Sequence, residues 1–366
     1  MSFQLPEYNH PDFTLEKFTS RPDARYETVT KDGVAPFDFH STSMFPEYFK
    51  INGVWKLAAE SRMDSSVVLT ETGLAVVENR NLKKGDKVIC GRSENCEEGI
   101  YVHNSGFTGD KTSAEEAFVF RQGRSRETSY SKDYDNLTNL LKYEKANGGK
   151  VVWVLGPAFS FDSGARKAMQ AMIENGYVNC IMAGNALATH DLEGAYLHTA
   201  LGQDIYTQQS MPNGHYNHLD VLNRVRASGS ISQFIADYGI DNGIVYGCMK
   251  NNVPMVLTSS IRDDGPLPEV IHSAYDGQAQ MRNRIKDATT VICMATMLHT
   301  IATGNMTPSF RQLPDGTIRP VYFYTVDADE FVVNKLLDRG SLSATTIVTN
   351  VQDFITKLAT NLGLEY

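Results

Sequence analysis

The sequence predicts the α/β class: a parallel sheet covered on both faces by helices, preceded by a smaller, mostly β part. Three observations carry this. Short apolar, β-branched runs recur late in the chain: VVWVLG (151–156), VNCIMAG (178–184), VPMVLTSS (253–260), TTVICMAT (289–296), PVYFYTVD (320–327) and TTIVTN (345–350). Helical stretches separate them, about six βα units in all, and strands apolar on both sides belong to a sheet buried on both faces. Before residue 125 the text instead alternates short strands with turn residues.

In the first part YFKINGVWKLA, DSSVVLT, GLAVVENR, KGDKVICG and GIYVHN read as strands. Asn52-Gly53 predicts a two-residue hairpin, because both central positions of a type I′ turn need positive φ. Lys84-Gly85-Asp86 predicts another turn, and the polar stretch 105–128 a linker or exposed loop. The expected division is therefore 1–125, a small mostly β domain plus linker, and 126–366, the α/β domain. In the latter, helices are expected over 163–175, from 188, over 268–286 and over 329–337, the last with Phe331, Val332, Lys335 and Leu336 at helical spacing. Asn350 followed by Asp353 resembles a capping box.

The 366 residues, 42% apolar and 21% charged, suffice for one large core or two modest ones and exclude a disordered, collagen-like or disulfide-scaffold chain. No apolar run approaches the roughly 18 residues of a membrane span, and the N-terminus lacks a basic start and apolar core. Five scattered cysteines without a CxxC pair fit free thiols in a reducing compartment, so a cytoplasmic location is expected. The net charge of −9 argues against nucleic-acid binding, and the cations of MRNRIK (281–286) read as a solvated helix face.

In an open parallel sheet, ligands bind outside the carboxyl ends of the strands. The expected exits are Gly156–Ser160, Gly184–Asp191, Ser259–Pro266, Thr296–His299, Asp327–Asp329 and Thr349-Asn350, where glycine, hydroxyl, amide and carboxylate groups gather. Small residues there admit a ligand to backbone N–H groups, and helix N-termini favour phosphate. Turns and caps use the same residue types, but six such exits together point to a nucleotide-type ligand. Neither GxGxxG after a strand nor GxxxxGK[ST] is present. Asp327 could accept from ribose hydroxyls or cap the helix after it. His215, His218 and Asp220 have local metal-ligand character, with a hydrogen-bonded loop as the default, so no metal is expected. Arg262-Asp263-Asp264-Gly265 could hold an ammonium group or simply turn the chain.

The runs GNALATHDLEGAYLHTALGQDIYTQ (184–208), GHYNHLDVLNRVRASGSI (214–231), NNVPMVLTSSIRDDGPLPEV (251–270), ATMLHTIATGNMTPS (295–309) and KLLDRGS (335–341) resemble one family. It is the lysine-oxoglutarate reductase/saccharopine dehydrogenase conserved-domain family, which includes NAD-dependent ornithine cyclodeaminases of archaeal type and the C-terminal part of cyanobacterial arginine dihydrolase fusions. FHSTSMFPEYFKINGVWKLAAESRMD (39–64) and LKKGDKVICG (82–91) resemble the same family's small domain. The resemblance implies an NAD-binding domain similar to that of deoxyhypusine synthase, which accounts for the missing glycine fingerprint. It implies conversion of ornithine to proline and ammonia, with a hydride passed out and back and no net redox. No guanidine-hydrolysing domain precedes, so arginine hydrolysis is not carried over.

Such chemistry needs a cationic clamp for the carboxylate, carboxylates for the amines and groups that move protons. Arg62 and Arg262 are the expected clamps, Asp263 or Asp264 the holder of the δ-ammonium, and Asp64, Asp191, His190 and His299 the proton handlers. Gly184, Asn185, Ser259, Ser260, Thr296 and Asp327, with Asn305, are expected at the cofactor; Lys335, Asp338 or Arg339 could reach a phosphate or a neighbouring subunit. The expected partners are a small amino-acid substrate and a second copy of the chain, with no membrane. The rivals are an NAD-dependent amino-acid or opine dehydrogenase that releases NADH, and a non-catalytic NAD-binding sensor.

Overall fold

The computed structural model describes residues 3–60, 62–107, 129–263, 265–329 and 344–366. Seven short strands come first: β1 (Arg25–Thr28), β2 (Glu47–Ile51), β3 (Val54–Leu57), β4 (Ser66–Leu69), β5 (Leu74–Val77), β6 (Lys87–Cys90) and β7 (Ile100–Val102). They form two antiparallel sheets, β1-β6-β4-β5 and β3-β2-β7. Asn52 (φ 53°) and Gly53 (φ 78°) turn β2 into β3 as their residue types require, with Ile51 paired to Val54. Phe49, Val67, Ile89 and Ile100 are fully buried between the sheets. The short helix α1 (Glu16–Thr19) is not visible in the sequence pattern. Its last carbonyls, Phe18 and Thr19, and that of Arg21 just beyond it are satisfied by buried Lys50, whose Nζ donates to them at 3.3, 3.0 and 2.6 Å.

The second part opens with α2 (Ser129–Ala146), also unforeseen, which buries Leu137, Leu140 and Leu141 at helical spacing. There follow β8 (Val151–Leu155), α3 (Ser163–Glu174), β9 (Cys180–Gly184), α4 (Asn185–Leu197), the hairpin β10 (Thr199–Ala200) and β11 (Gln203–Asp204), then α5 (Asn217–Ser228), α6 (Ile231–Tyr238) and α7 (Ile244–Lys250). The chain ends with β12 (Met255–Thr258), α8 (Ala274–Ile285), β13 (Thr290–Met294), α9 (Met297–Met306), the hairpin β14 (Phe310–Gln312) and β15 (Ile318–Pro320), β16 (Tyr322–Asp327), β17 (Ala344–Val348) and α10 (Val351–Asn361). The six expected strands form one sheet, parallel throughout, in the order β12-β9-β8-β13-β16-β17.

Strand parity sorts the core. Trp153, Leu155, Ile181, Ala183, Ile292 and Met294 face α2, α3, α4 and α10, whereas Val152, Val154, Met182, Val291 and Cys293 face α8 and α9. Two helix boundaries differ from expectation. α4 begins at Asn185, not 188, because β9 runs into it with Gly184 as the only hinge, so residues 185–191 are helix and not a loop. α8 begins at Ala274, not 268, because Ile271 bridges to Thr258 and holds the preceding residues extended until Ser273 caps the helix. The helix expected over 329–337 lies almost wholly outside the described residues, as do Lys335, Asp338, Arg339 and Asp264. Among the described residues no helix is long and apolar enough to cross a membrane.

Candidate active site at the carboxyl ends of the parallel strands

In chain order the sheet reads third, second, first, fourth, fifth, sixth strand, so its order reverses between β8 and β13. A crevice opens at the carboxyl ends of strands at such a point. Gly156 N–H donates to the Met294 carbonyl at 2.8 Å, prolonging the β8–β13 ladder into the crevice. A Cβ on Gly156 would lie 1.7 Å from the Ala295 carbonyl oxygen, so glycine is obligatory where the two exits cross. Ala295 itself has φ 54°, a conformation L-residues seldom hold.

Three helical starts converge here: the 3-10 turn Pro157–Phe161 after β8, α4 after β9 and α9 after β13. Their N-caps are Gly156, Gly184 and Thr296, and none caps its helix with a side chain. Among the described residues α3, α8 and α10 do have side-chain caps: Asp162 accepts from Ala165 N–H, Ser273 from Asp276 N–H, and Asn350 from Gln352 and Asp353 N–H. The starts of α4 and α9 thus keep N–H groups and positive dipole ends for an external anion, whereas the turn after β8 opens on Pro157, which has no N–H, and its Phe159 N–H donates to the Gly156 carbonyl at 3.2 Å.

The sequence-predicted residues do not all come together. Gly184, Asn185, Ser259, Ser260, Asp263, Thr296 and His299 come together at the exits of β9, β12 and β13. His299 Nε2 lies 2.9 Å from Thr258 Oγ1, and its Cε1 would stand 3.1 Å from a Cβ on Gly184, so the glycine makes room for the ring. Burial holds the His299 imidazole below its ordinary pKa, against the opposing charge of Asp263. Asp263 folds its own turn, accepting from Ser260 N–H at 2.7 Å and Ser260 Oγ at 3.1 Å. Asn185 Oδ1 accepts from Leu267 N–H at 3.0 Å and ties the segment after β12 to the start of α4. Ser259 Oγ donates to the His272 carbonyl. Arg262 N–H donates to Ser260 Oγ, so it belongs to the same turn.

Asp327 stands at the next exit, where Ala295 N–H donates to the neighbouring Val326 carbonyl, and its carboxylate accepts from Asp329 N–H at 3.0 Å. Arg62 and Asp64 form a separate set. Arg62 pairs with Glu78, which also holds Arg80 at 2.6 Å, while Arg80 reaches Gln278 and packs over Tyr275 on the side of α8 turned to the antiparallel sheets. Burial, with Arg282 and Arg80 close by, pulls Arg62 down to about 10. Asp64 is exposed, with φ 57°. No hydrogen bond or ion pair joins this set to the His299 group among the described residues. Asn305 is not brought to the crevice: it lies in the last turn of α9, about 13 Å along the helix from Thr296.

Asp191 is in no position to shuttle protons. It is fully buried, accepts from Arg166 Nε and Val245 N–H at 2.8 Å each, and thereby joins α3, α4 and α7. His190, one residue earlier, points elsewhere, with Nδ1 2.8 Å from buried Glu193. His215 is exposed beside Tyr216, and no group of three potential metal ligands converges among the described residues. Sequence reasoning missed Thr258, Gly156 as a crossing point, and Glu193. For Gly156 the signal was present, a glycine at the first strand exit, but the partner that demands it lies 139 residues away.

Residues 135–358 match the family described as arginine dihydrolase ArgZ-like, C-terminal, Rossmann fold. The chain is 36% identical over 350 residues to the ornithine cyclodeaminase of Methanocaldococcus jannaschii, covering 93% of this chain and 78% of that protein. A solved LOR/SDH protein from Methanococcus maripaludis superposes with a TM-score of 0.78 at 33% identity, covering 93% of this chain and 98% of the other. AgrE of Nostoc sp., a bifunctional arginine dihydrolase/ornithine cyclodeaminase, is 33% identical over 93% of this chain and 47% of its own length. Its ternary complex with ornithine and NAD+ superposes with a TM-score of 0.58, covering 94% of this chain and 46% of AgrE.

Proposed function

We propose, on the premise that this chain belongs to the ornithine cyclodeaminase family, that it converts ornithine to proline and ammonia with bound NAD. The observation that carries the reading is the crevice at β8 and β13, where the starts of α4 and α9, without side-chain caps, offer N–H groups to a dinucleotide's phosphates. The AgrE complex with ornithine and NAD+ supports the choice of ligands. NAD accepts a hydride from the substrate's α-carbon and returns it, so the reaction is redox-neutral.

The chain's own residues position and hold charge. Gly184, Asn185, Ser259, Ser260 and Thr296 cradle the cofactor, and Asp327 at the neighbouring exit accepts from a ribose hydroxyl. His299, neutral and pinned to Thr258, walls the crevice. Asp263 or Asp264 holds the δ-ammonium. Arg62 and Asp64 belong to the small β part, 1–125, which meets the α/β part, 126–366, through the Arg80 and Arg282 contacts on α8; there Arg62 would bind the substrate carboxylate only by sharing Glu78. We place the enzyme in the cytoplasm, in the formation of proline, and as a homo-oligomer.

The test mixes purified protein with ornithine and substoichiometric NAD+, following ammonia, proline and NADH absorbance together. Equal ammonia and proline, with many turnovers per NAD and no lasting NADH, is the expected result. NADH rising one-for-one with product would make it a dehydrogenase, and NAD binding without turnover of any diamino acid would make it a sensor.

A further inference from the structure

His190 and Glu193 lie on one face of α4, three residues apart, with Nδ1 of the ring 2.8 Å from Oε2 of the carboxylate. Glu193 is fully buried and held from three directions, by Thr199 Oγ1 at 2.7 Å and by the N–H groups of Leu201 and Gly202 at 3.2 Å. With three donors already directed at its oxygens, Glu193 is the acceptor of the His190 Nδ1 contact, which sets the ring's tautomer with the proton on Nδ1. That leaves Nε2 with a free lone pair. Phe161, from the turn that leaves β8, stands edge-on to the ring at 5.5 Å, so the ring sits beside the crevice. His218 of α5 approaches at 5.9 Å between ring centres, and its buried Nδ1 has no hydrogen-bond partner among the described residues. Of the other elements packed on α4, the β10 strand gives Thr199 to Glu193, and Arg166 of α3 is paired with Asp191.

We propose that His190 is the proton shuttle of the cyclisation, with Glu193 its positioning residue; this rests on the ornithine reading. The step balances. Nε2 takes a proton from the δ-ammonium, freeing its lone pair. With the α-carbon at the imine oxidation level that the bound nicotinamide cofactor supplies, the bond from the δ-nitrogen to that carbon forms. As it forms, the C=N π pair moves to the α-nitrogen, which takes the proton back from the imidazolium; the bond from the carbon to the α-nitrogen then breaks and ammonia leaves, while the δ-nitrogen gives its second proton to Nε2 and its freed lone pair closes the cyclic C=N bond. An imidazole serves both halves of this exchange, first as base and then as acid.

The test uses full-length enzyme with NAD. His190→Gln should lower kcat for ornithine about 100-fold or more, with NAD affinity, read by fluorescence titration, unchanged within about twofold. His190→Gly should regain turnover on addition of imidazole, which a purely structural histidine would not allow. Glu193→Gln removes the carboxylate that favours the imidazolium, so the acid limb of kcat/KM should move to lower pH. Wild-type turnover in His190→Gln, or lost activity in both His190 variants without imidazole rescue, overturns the assignment. Wild-type enzyme that binds NAD but leaves ornithine untouched overturns the ornithine reading, and the shuttle with it.

Discussion

Asp191→Asn separates a structural carboxylate from a catalytic one. The substitution keeps the side chain's size, but one of its two terminal atoms becomes an N–H donor. That donor must then face either Arg166 Nε or Val245 N–H, each now 2.8 Å from a carboxylate oxygen. Arg166 is left as an uncompensated cation at a site only 3% exposed, its remaining acceptors being the Asp191 carbonyl at 2.9 Å and Asn242 Oδ1 at 3.3 Å. Removing one partner of a buried pair costs about 3–5 kcal/mol. Unfolding 366 residues carries an entropy of about 0.8 kcal/mol/K at roughly 2.1 cal/mol/K per residue, so the midpoint should fall by about 4–6 °C. The assay is thermal unfolding followed by circular dichroism, with kcat measured on the folded fraction at 25 °C. Arg166→Met should also destabilise, and the double variant should lose less than the sum, because no unpaired charge remains. An unshifted midpoint with kcat reduced 100-fold would refute this reasoning and return Asp191 to the proton-handling role.

Further expectations concern the crevice. Gly156→Ala drives a Cβ to 1.7 Å from the Ala295 carbonyl, so β8 and β13 must part; stability should drop by about 1–3 kcal/mol and NAD affinity with it, measured by urea unfolding and titration. Asn185→Ala leaves the N–H of fully buried Leu267 without its acceptor, costing about 1–3 kcal/mol, and limited proteolysis should cut faster within 259–270. The His299 pKa is depressed on folding, so between that value and about 6.5 the unfolded chain binds more protons. Wild-type stability should therefore fall more steeply than that of His299→Gln as pH drops from 7 to 5; parallel curves would show that the ring is not held neutral. NMR titration of the His299 Cε1 proton should place its midpoint below the free value.

Periodicity and punctuation alone determined much of this protein. β-branched runs with period-2 side chains can bury both faces only in a covered sheet, so all six parallel strands were legible, as was the Asn52-Gly53 hairpin, whose positive φ values few other dipeptides accept. Motif text sufficed for the family. What stayed hidden depends on residues distant in sequence. α4 starts at Asn185 because β9 delivers the chain at a helical angle, which no window of residues records. The burial of α2 rests on the sheet it covers, not on its own composition, which is polar on average.

The site divides along the same line. That glycine, amide and hydroxyl groups crowd the strand exits was visible in sequence; which exits adjoin was not, because strand order is set by packing between βα units. Only the folded chain reveals that Gly156 must clear Ala295, that His299 rests on Gly184 and Thr258, and that Asn305 is carried to the far end of its helix. In the sequence, adjacent His190 and Asp191 looked like interchangeable proton handlers. Consecutive helical residues point about 100° apart, so one meets Glu193 while the other closes on Arg166.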